Sequence, residues 1–395
     1  MGRSEAGESL DFDLTEEQEL TRRTVREFAD KEIAPRSFEL DETQTFPRDI
    51  MERLGAMGML GILFPPEYGG AGLGYRDYVL IIEELSRVDG SIGLSVAAHN
   101  SLCSNHIYLA GTDEQKTRFL VPLAQGKKIG AWSLTEPTAG SDAAGTKSTA
   151  VRDGAGWVLN GSKTFATHGS VCDVAVVFCV TDRTKGKHGI SAFILERGMQ
   201  GFRAGKKENK MGCRASDTAE LVMEDCRVPD NLRLGGAGEG FIDALRVLDG
   251  GRIGIGALAV GIARGALEQA LAYARTRQQF GQPIASFQAV QWMLADSAAE
   301  IDAARLLVQR AAFLKDSGQD VTMASSMAKL FASETAVRVT NRAVQIHGGY
   351  GYIKDFPVER FYRDAKITTI GEGTSEIQRL VIARRLLDLA PELPG

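Results

Sequence analysis

The run Val174-Ala175-Val176-Val177-Phe178-Cys179-Val180 is wholly apolar and rich in β-branched and aromatic side chains. It is too short for a helix and has no polar alternation, so it reads as a strand buried on both faces. Similar short segments lie on either side. Trp157-Val158-Leu159 runs into Asn160-Gly161, a dipeptide suited to a tight hairpin turn. His188 to Leu195 carries Ile190, Phe193 and Ile194, and Leu221 to Val228 is a further candidate. Glycines and charged residues separate these segments. Residues 128–234 therefore read as an all-β domain of short strands.

Both flanks are helical in pattern. In residues 1–127, Thr15 and Gln18 stand at capping-box spacing before a helix carrying Leu20, Val25, Phe28 and Ile33. Pro35 is expected to end it. Pro47 is expected at the first position of a helix that turns Ile50, Leu54 and Met57 inward. Tyr75 to Val88 is a third helix. The glycine-rich stretch 69–74 before it reads as a loop, because it lacks both GxGxxG spacing and a preceding strand. In residues 235–395 the helical period returns. Long helices are expected near 252–277, 287–316, 321–347 and 375–389, packed as an antiparallel bundle. The expected architecture is α+β and multi-domain: helical, then β, then helical.

Composition removes several function classes. Of the 395 residues, 44% are hydrophobic and 25% charged, which describes a globular chain able to bury a core without staples. A net charge of -5 offers no basic face, so nucleic acid is not an expected partner. The five cysteines are odd in number and lack CxxC spacing, and the five histidines form no HExxH pair. Neither a disulfide framework nor a metal site is expected, and a reducing compartment fits. The acidic start MGRSEAGESL does not read as a secretory signal, and Ala6 stands where a myristoylation motif on Gly2 needs Ser or Thr. The longest apolar run, Ile253 to Ala263, ends at Arg264, short of the ~20 residues a membrane span needs. The expectation is a cytoplasmic protein with no membrane span.

Two segments carry the chemistry. In Gly371-Glu372-Gly373-Thr374-Ser375-Glu376-Ile377-Gln378, a lone carboxylate sits between two glycines. Ser375 and Gln378 have capping-box spacing for a final helix. Locally, Glu372 is either a general base presented at a tight turn or an exposed turn glutamate. The second segment runs from Ala131 to Asp142 as AWSLTEPTAGSD. Its hydroxyls and small residues suit a loop that binds a polar heterocycle or phosphate. A strand followed by a Pro-Gly turn fits equally well.

Together these segments resemble the acyl-CoA dehydrogenase family. The resemblance extends to Asn160-Gly161-Ser162-Lys163, the stretch Met211 to Thr218, the stretch Arg275 to Gly281, and Gln345 to Tyr352, in the family's order from about Phe12 to Leu387. It implies N-terminal helices, a middle β-barrel and a C-terminal four-helix bundle. It also implies bound FAD, an acyl-CoA substrate, electron-transfer flavoprotein as electron acceptor, a homotetramer, and a place in fatty-acid β-oxidation. By the same resemblance, Trp132, Leu134, Thr135 and Ser141 form the flavin-side loop, with Ser141 also near the thioester. Phe165, Ala166 and Thr167 lie against the isoalloxazine ring. Arg277, Phe280 and Gln288 reach FAD across a subunit interface. Gln345, Gly348 and Gly349 follow its adenosine–pyrophosphate arm, and Thr374, Ser375 and Glu376 make the last contacts. Asp249, Arg252 and Gly373 match substrate contacts.

Glu372 matches the base that takes the α-proton while the β-hydride goes to flavin N5. One branch of the family carries its base beside the arginine instead. That place here is Gly251, which points to Glu372 and to the short- or medium-chain branch. Phe165 and His168 depart from the family's common Trp and Asn, which bears on flavin shielding and on the choice of acceptor. Two other readings keep the scaffold: an oxidase passing electrons to oxygen, and a non-catalytic acyl-CoA-binding protein. A purely structural helical scaffold would not account for the polar loop at Thr135 to Asp142.

Overall fold

The computed structural model describes residues 13–387; Gly2, Ala6, Phe12 and the outermost ends of the expected flanking domains lie outside the described residues. Thr15 and Gln18 form the reciprocal cap, and the helix Glu16–Phe28 follows. Pro35 does not end the helical path. The chain passes through a wide turn, Ala29–Ile33, and a tight one, Ala34–Arg36, then resumes as Ser37–Thr43. Proline lacks a donor, but the first turn of a new helical segment needs none at that place. The stop comes at Gln44, whose φ of 52° is left-handed. Val25 and Ile33 are buried, whereas Leu20 faces outward. Pro47 caps the helix Arg48–Ala56 rather than entering it, and Ile50 and Leu54 are buried as expected. Tyr75–Val88 forms where its periodicity places it.

The middle of the chain is one eight-stranded sheet. Its strands are β1 (Gly130–Ser133), β2 (Thr149–Asp153), β3 (Gly156–Thr167), β4 (Val174–Val180), β5 (Ile190–Glu196), β6 (Phe202–Lys207), β7 (Thr218–Pro229) and β8 (Arg233–Leu234). The order is β6-β7-β3-β2-β4-β5-β8, with β1 pairing parallel to β4. The first six residues of β4 are buried, as an all-apolar strand inside a two-sided core requires. Asn160-Gly161 is not a turn. It lies inside β3 at a register shift against β7, and Gly161 (φ 141°) passes so close to Ser148 that a Cβ would lie 2.4 Å from its Oγ. The hairpin turn is Gly154-Ala155, with Asp153 paired to Gly156, so the Asp-Gly signal one strand earlier was the operative one.

The helix Gly240–Thr276 is the axis of the helical part. It begins earlier than its periodicity indicates. One face carries Gly250, Gly254, Gly261 and Gly265, each so near the helix Tyr75–Val88 that a Cβ would fall 2.1–2.5 Å from Tyr75, Tyr78, Glu83 or Arg87. Small residues thus let the two helices meet closely, backbone to side chain at Gly250 and Gly254 and backbone to backbone at Gly261 and Gly265. One hydrophobic core joins this helix to the N-terminal helices and to Gln288–Asp316 and Thr322–His347. A second core joins the sheet to Phe64, Phe119 and Phe241. By length and composition Gly240–Thr276 could cross a membrane, but 67% of its most apolar window is buried inside the fold, as in the core helix of a soluble protein. Arg264 interrupts its apolar run in the sequence; in the fold it pairs with Glu83 and Glu84 at 3.0 and 2.8 Å.

A helix not expected from periodicity, Val358–Thr368, buries Asp364 against the 211–216 turn, where Asp364 Oδ1 accepts from Cys213 N at 2.5 Å. Burial raises its carboxyl to about 7. The unfolded chain ionises this group near the ordinary carboxylate range, so its contribution to stability falls as pH rises from about 4 to 7. Asp364→Asn is therefore expected to raise Tm more at pH 8 than at pH 5, as read by calorimetry of the purified protein. An equal effect at both pH values would contradict a protonated Asp364.

Candidate active site

The turn that carries Glu372 follows Val358–Thr368. Gly371 N closes on Ile367 O at 2.8 Å, and the chain then reverses hand, with φ 55° at Glu372 and 94° at Gly373. A left-handed glutamate is uncommon and is held only where its surroundings over-determine it. Two donors do so: Lys329 Nζ from the helix Thr322–His347, and Gln378 Nε2 at 3.0 Å, both to the Gly373 carbonyl. The final helix, Ser375–Leu386, is capped by Thr374, whose Oγ1 accepts from Ile377 N, and not by Ser375. Gln378 instead reaches back to the turn, so the expected capping box is replaced by a brace.

This geometry turns the Glu372 side chain inward. The residue is half-buried, but Oε2 is buried and has no hydrogen-bond partner among the described residues. It lies over Gly251, where a Cβ would come within 2.0 Å of Oε2 and 3.2 Å of Leu102 Cδ2. Gly251 thus opens the slot into which the carboxyl fits. Burial raises the Glu372 carboxyl to about 7, against the opposing pull of Lys329 and Arg252. Desolvation therefore outweighs both cations. Arg252 pairs with Asp249 at 2.8 Å, and Thr322 Oγ1 donates to Asp249 Oδ2 at 2.9 Å. Ala98, Leu102 and Val247 form an apolar wall with Trp132 and Leu248 against it. Leu102 thereby links the Glu372 slot to Trp132 on β1.

The polar loop after β1 is tied to β3. Thr164 N donates to Thr135 O at 2.9 Å. Beneath it, the buried Lys163 donates to Glu136 Oε1 at 2.7 Å and to Leu134 O at 3.3 Å. Glu136 also accepts from Lys147 N and Ser148 N, which fixes the base of the loop. Leu134 is buried, Ser141 is exposed, and Thr135 and Thr167 are half-buried. Phe165, at φ 58°, turns a ring that is 66% exposed outward. An uncovered aromatic face beside several hydroxyls fits a planar heterocycle with polar edges, as the isoalloxazine of FAD has. His168 does not share this surface. It is buried, contacts Gly130 O through Nδ1 at 3.0 Å and meets Phe46 edge-on, so it ties β3 to β1. The indole of Trp132 donates to His106 Nδ1 at 3.1 Å.

A second group of the expected residues gathers elsewhere. Arg277 stands over the Tyr350 ring at 5.3 Å, next to the turn with Gly348 and Gly349, and Phe280 at a hairpin tip is 93% exposed. Gln288 and Gln345 are also exposed, as is Glu376 on the helix that follows the Glu372 turn. Arg252 and Arg277 belong to one helical path and its cap, so they are separated by roughly 37 Å at 1.5 Å per residue. No side chain spans that distance, and a single copy of the chain does not bring the two groups together.

All three acyl-CoA dehydrogenase domain families match the chain: N-terminal over residues 15–127, middle over 131–226 and C-terminal over 238–387. The chain belongs to the acyl-CoA dehydrogenase family. A short-chain-specific acyl-CoA dehydrogenase of Clostridium acetobutylicum is 52% identical, over 95% of this chain and 100% of that protein. Butyryl-CoA dehydrogenase of Megasphaera elsdenii superposes with a TM-score of 0.94 at 45% identity, over 96% of this chain and 100% of that one. A chain in the solved structure of the electron transferring flavoprotein of Acidaminococcus fermentans also gives 0.94, at 52% identity over 96% and 100%. The protein stands with the short-chain branch, and it is an FAD-dependent oxidoreductase. Lys329, Glu136 and His106 were not singled out in the sequence, and Gln378 was read only as a capping residue. The available signal for Lys329 was one cation among the small residues Ser325, Ser326, Ala328, Ala332 and Ser333.

Proposed function

We propose that Glu372 takes the α-proton of a short acyl-CoA thioester, in the FAD-dependent dehydrogenation that yields a trans-2-enoyl-CoA. The observation that carries this reading is the unpartnered, buried carboxyl oxygen in the slot opened by Gly251. An alkyl thioester is a weak carbon acid, and a solvated carboxylate would remove its α-proton poorly. Burial strengthens the base by disfavouring its charged form. The Glu372 N–H donates to no protein group among the described residues and is free to receive the developing oxyanion. Donor and base then belong to one residue, so a thioester oxygen bound to the first brings the α-carbon to the second. Asp249, Arg252 and Gly373 line the acyl-CoA side. When bound, FAD supplies the two-electron acceptor for the β-hydride.

Trp132, Leu134, Thr135, Ser141, Phe165 and Thr167 are assigned to the flavin ring, and Thr374, Ser375 and Glu376 to its nearby contacts. Arg277, Phe280, Gln288, Gln345, Gly348 and Gly349 are assigned to the flavin of a neighbouring subunit in a homotetramer. The separation along the core helix and the bare Phe280 side chain support that assignment. Electron-transfer flavoprotein as acceptor is supported by the Acidaminococcus chain. A cytoplasmic location completes the reading.

The test is anaerobic addition of butyryl-CoA to the purified yellow protein. Stoichiometric loss of the flavin colour is expected. A colourless protein that binds butyryl-CoA would replace this reading with a binding role. Hydrogen peroxide formed in air at the turnover rate would replace it with an oxidase.

A further inference from the structure

Lys329 is a buried charge near the site. It is fully buried on the helix Thr322–His347, and it forms no ion pair among the described residues. Its one hydrogen bond among those residues goes to the Gly373 carbonyl. A buried unpaired ammonium is expensive and persists where something else depends on it. What it grips is the residue after Glu372, in a turn whose two central φ values are both left-handed.

We propose that Lys329 is a positioning residue for the base: it clamps the strained turn at the Gly373 carbonyl and so sets its charge near the Glu372 carboxyl. The proposal rests on Glu372 being the base. The groups that surround the carboxyl support it. On the helix Tyr75–Val88 stand Tyr75 and Tyr78, both neutral and pushed further up by burial and by the Glu372 charge. Asp316 adds to the effect on Tyr75. On the core helix stands Arg252, whose charge is already shared with Asp249. On the final helix Glu376 is exposed, and its charge acts on Lys329, favouring the ammonium. Arg252 is thus held in a close ion pair, whereas Lys329 forms none among the described residues and its charge is left to act on Glu372. Burial draws its own ammonium down to about 8, while the Glu372 charge resists that fall. Each group thus favours the charged form of the other.

The sign of the effect follows. Proton removal needs the Glu372 carboxylate, so kcat/KM rises with pH through the value at which free-enzyme Glu372 ionises. Without the Lys329 charge the carboxylate is harder to form, and that limb moves to higher pH. Lys329→Gln loses the charge but keeps an amide donor, and its acid limb is expected to move up by about one pH unit. Lys329→Arg keeps charge and donors, and the limb is expected to return towards its original position. An unmoved limb in a Lys329→Gln protein that holds FAD would overturn the proposal. Should that variant not retain FAD, Lys329→Met is read in the same way, since it is neutral and similar in length. Glu372→Gln is measured alongside. If it is inactive and the Lys329 limb still does not move, only the inference about Lys329 fails. If Glu372→Gln keeps full activity, the reading of the base itself fails.

Discussion

Glu372→Gln is expected to leave the protein folded and yellow, and to lower its rate of flavin reduction by butyryl-CoA by roughly 10²–10⁴-fold, the range for loss of a general base. The amide is close in size to the carboxyl, so the Gly251 slot, the Leu102 contact and the left-handed turn remain. The buried Oε2 position has no protein partner among the described residues, so no hydrogen bond is broken. The unpaired carboxylate near Lys329 and Arg252 is removed, which leaves those cations without its charge. Burial penalises the charged carboxyl more than the two cations compensate, so Tm is expected to hold or rise above pH 7. Rapid-mixing absorbance under nitrogen measures the rate, and near-normal bleaching would remove Glu372 from its assigned role.

Gly251→Ala is expected to cost roughly 10²-fold in kcat/KM, with FAD content intact. Helical glycine to alanine is favourable for the helix by about 1 kcal/mol, so global stability should hold or rise. The new methyl would stand 2.0 Å from Glu372 Oε2 and 3.2 Å from Leu102 Cδ2. The contact at Oε2 is with the far end of a side chain, so the carboxyl moves and the backbone need not. A displacement near 1 Å from the reacting position is enough for a loss of that order. Butyryl-CoA turnover with an artificial dye acceptor checks this. Wild-type activity in a folded, yellow Gly251→Ala protein would show that the carboxyl does not work from the Gly251 slot.

Much of the fold was legible because its signals are local. Val174–Val180 is apolar at every position and became β4 within the stated bounds. Tyr75–Val88 repeats its apolar face at helical spacing and became a helix of that span. The failures also share a cause. Asn160-Gly161 has turn propensity, but the close passage of Ser148 holds it in a strand. Pro35 has breaker propensity, but the chain absorbs it in the tight turn Ala34–Arg36, where no donor is needed. Val358–Thr368 was overlooked because its inner face carries Arg360 and Asp364, which read as surface charge.

Sequence alone determined the order of helical, β and helical segments, and it marked one carboxylate between two glycines before a final helix. It left open whether that carboxylate faced solvent. Packing decided that. The glycine stripe of the core helix lets Tyr75–Val88 come close, Gly251 leaves room for the carboxyl, and Lys329 and Gln378 hold the turn that aims it. Propensity and periodicity act between chain neighbours, whereas a proton affinity depends on which distant groups exclude water from the site.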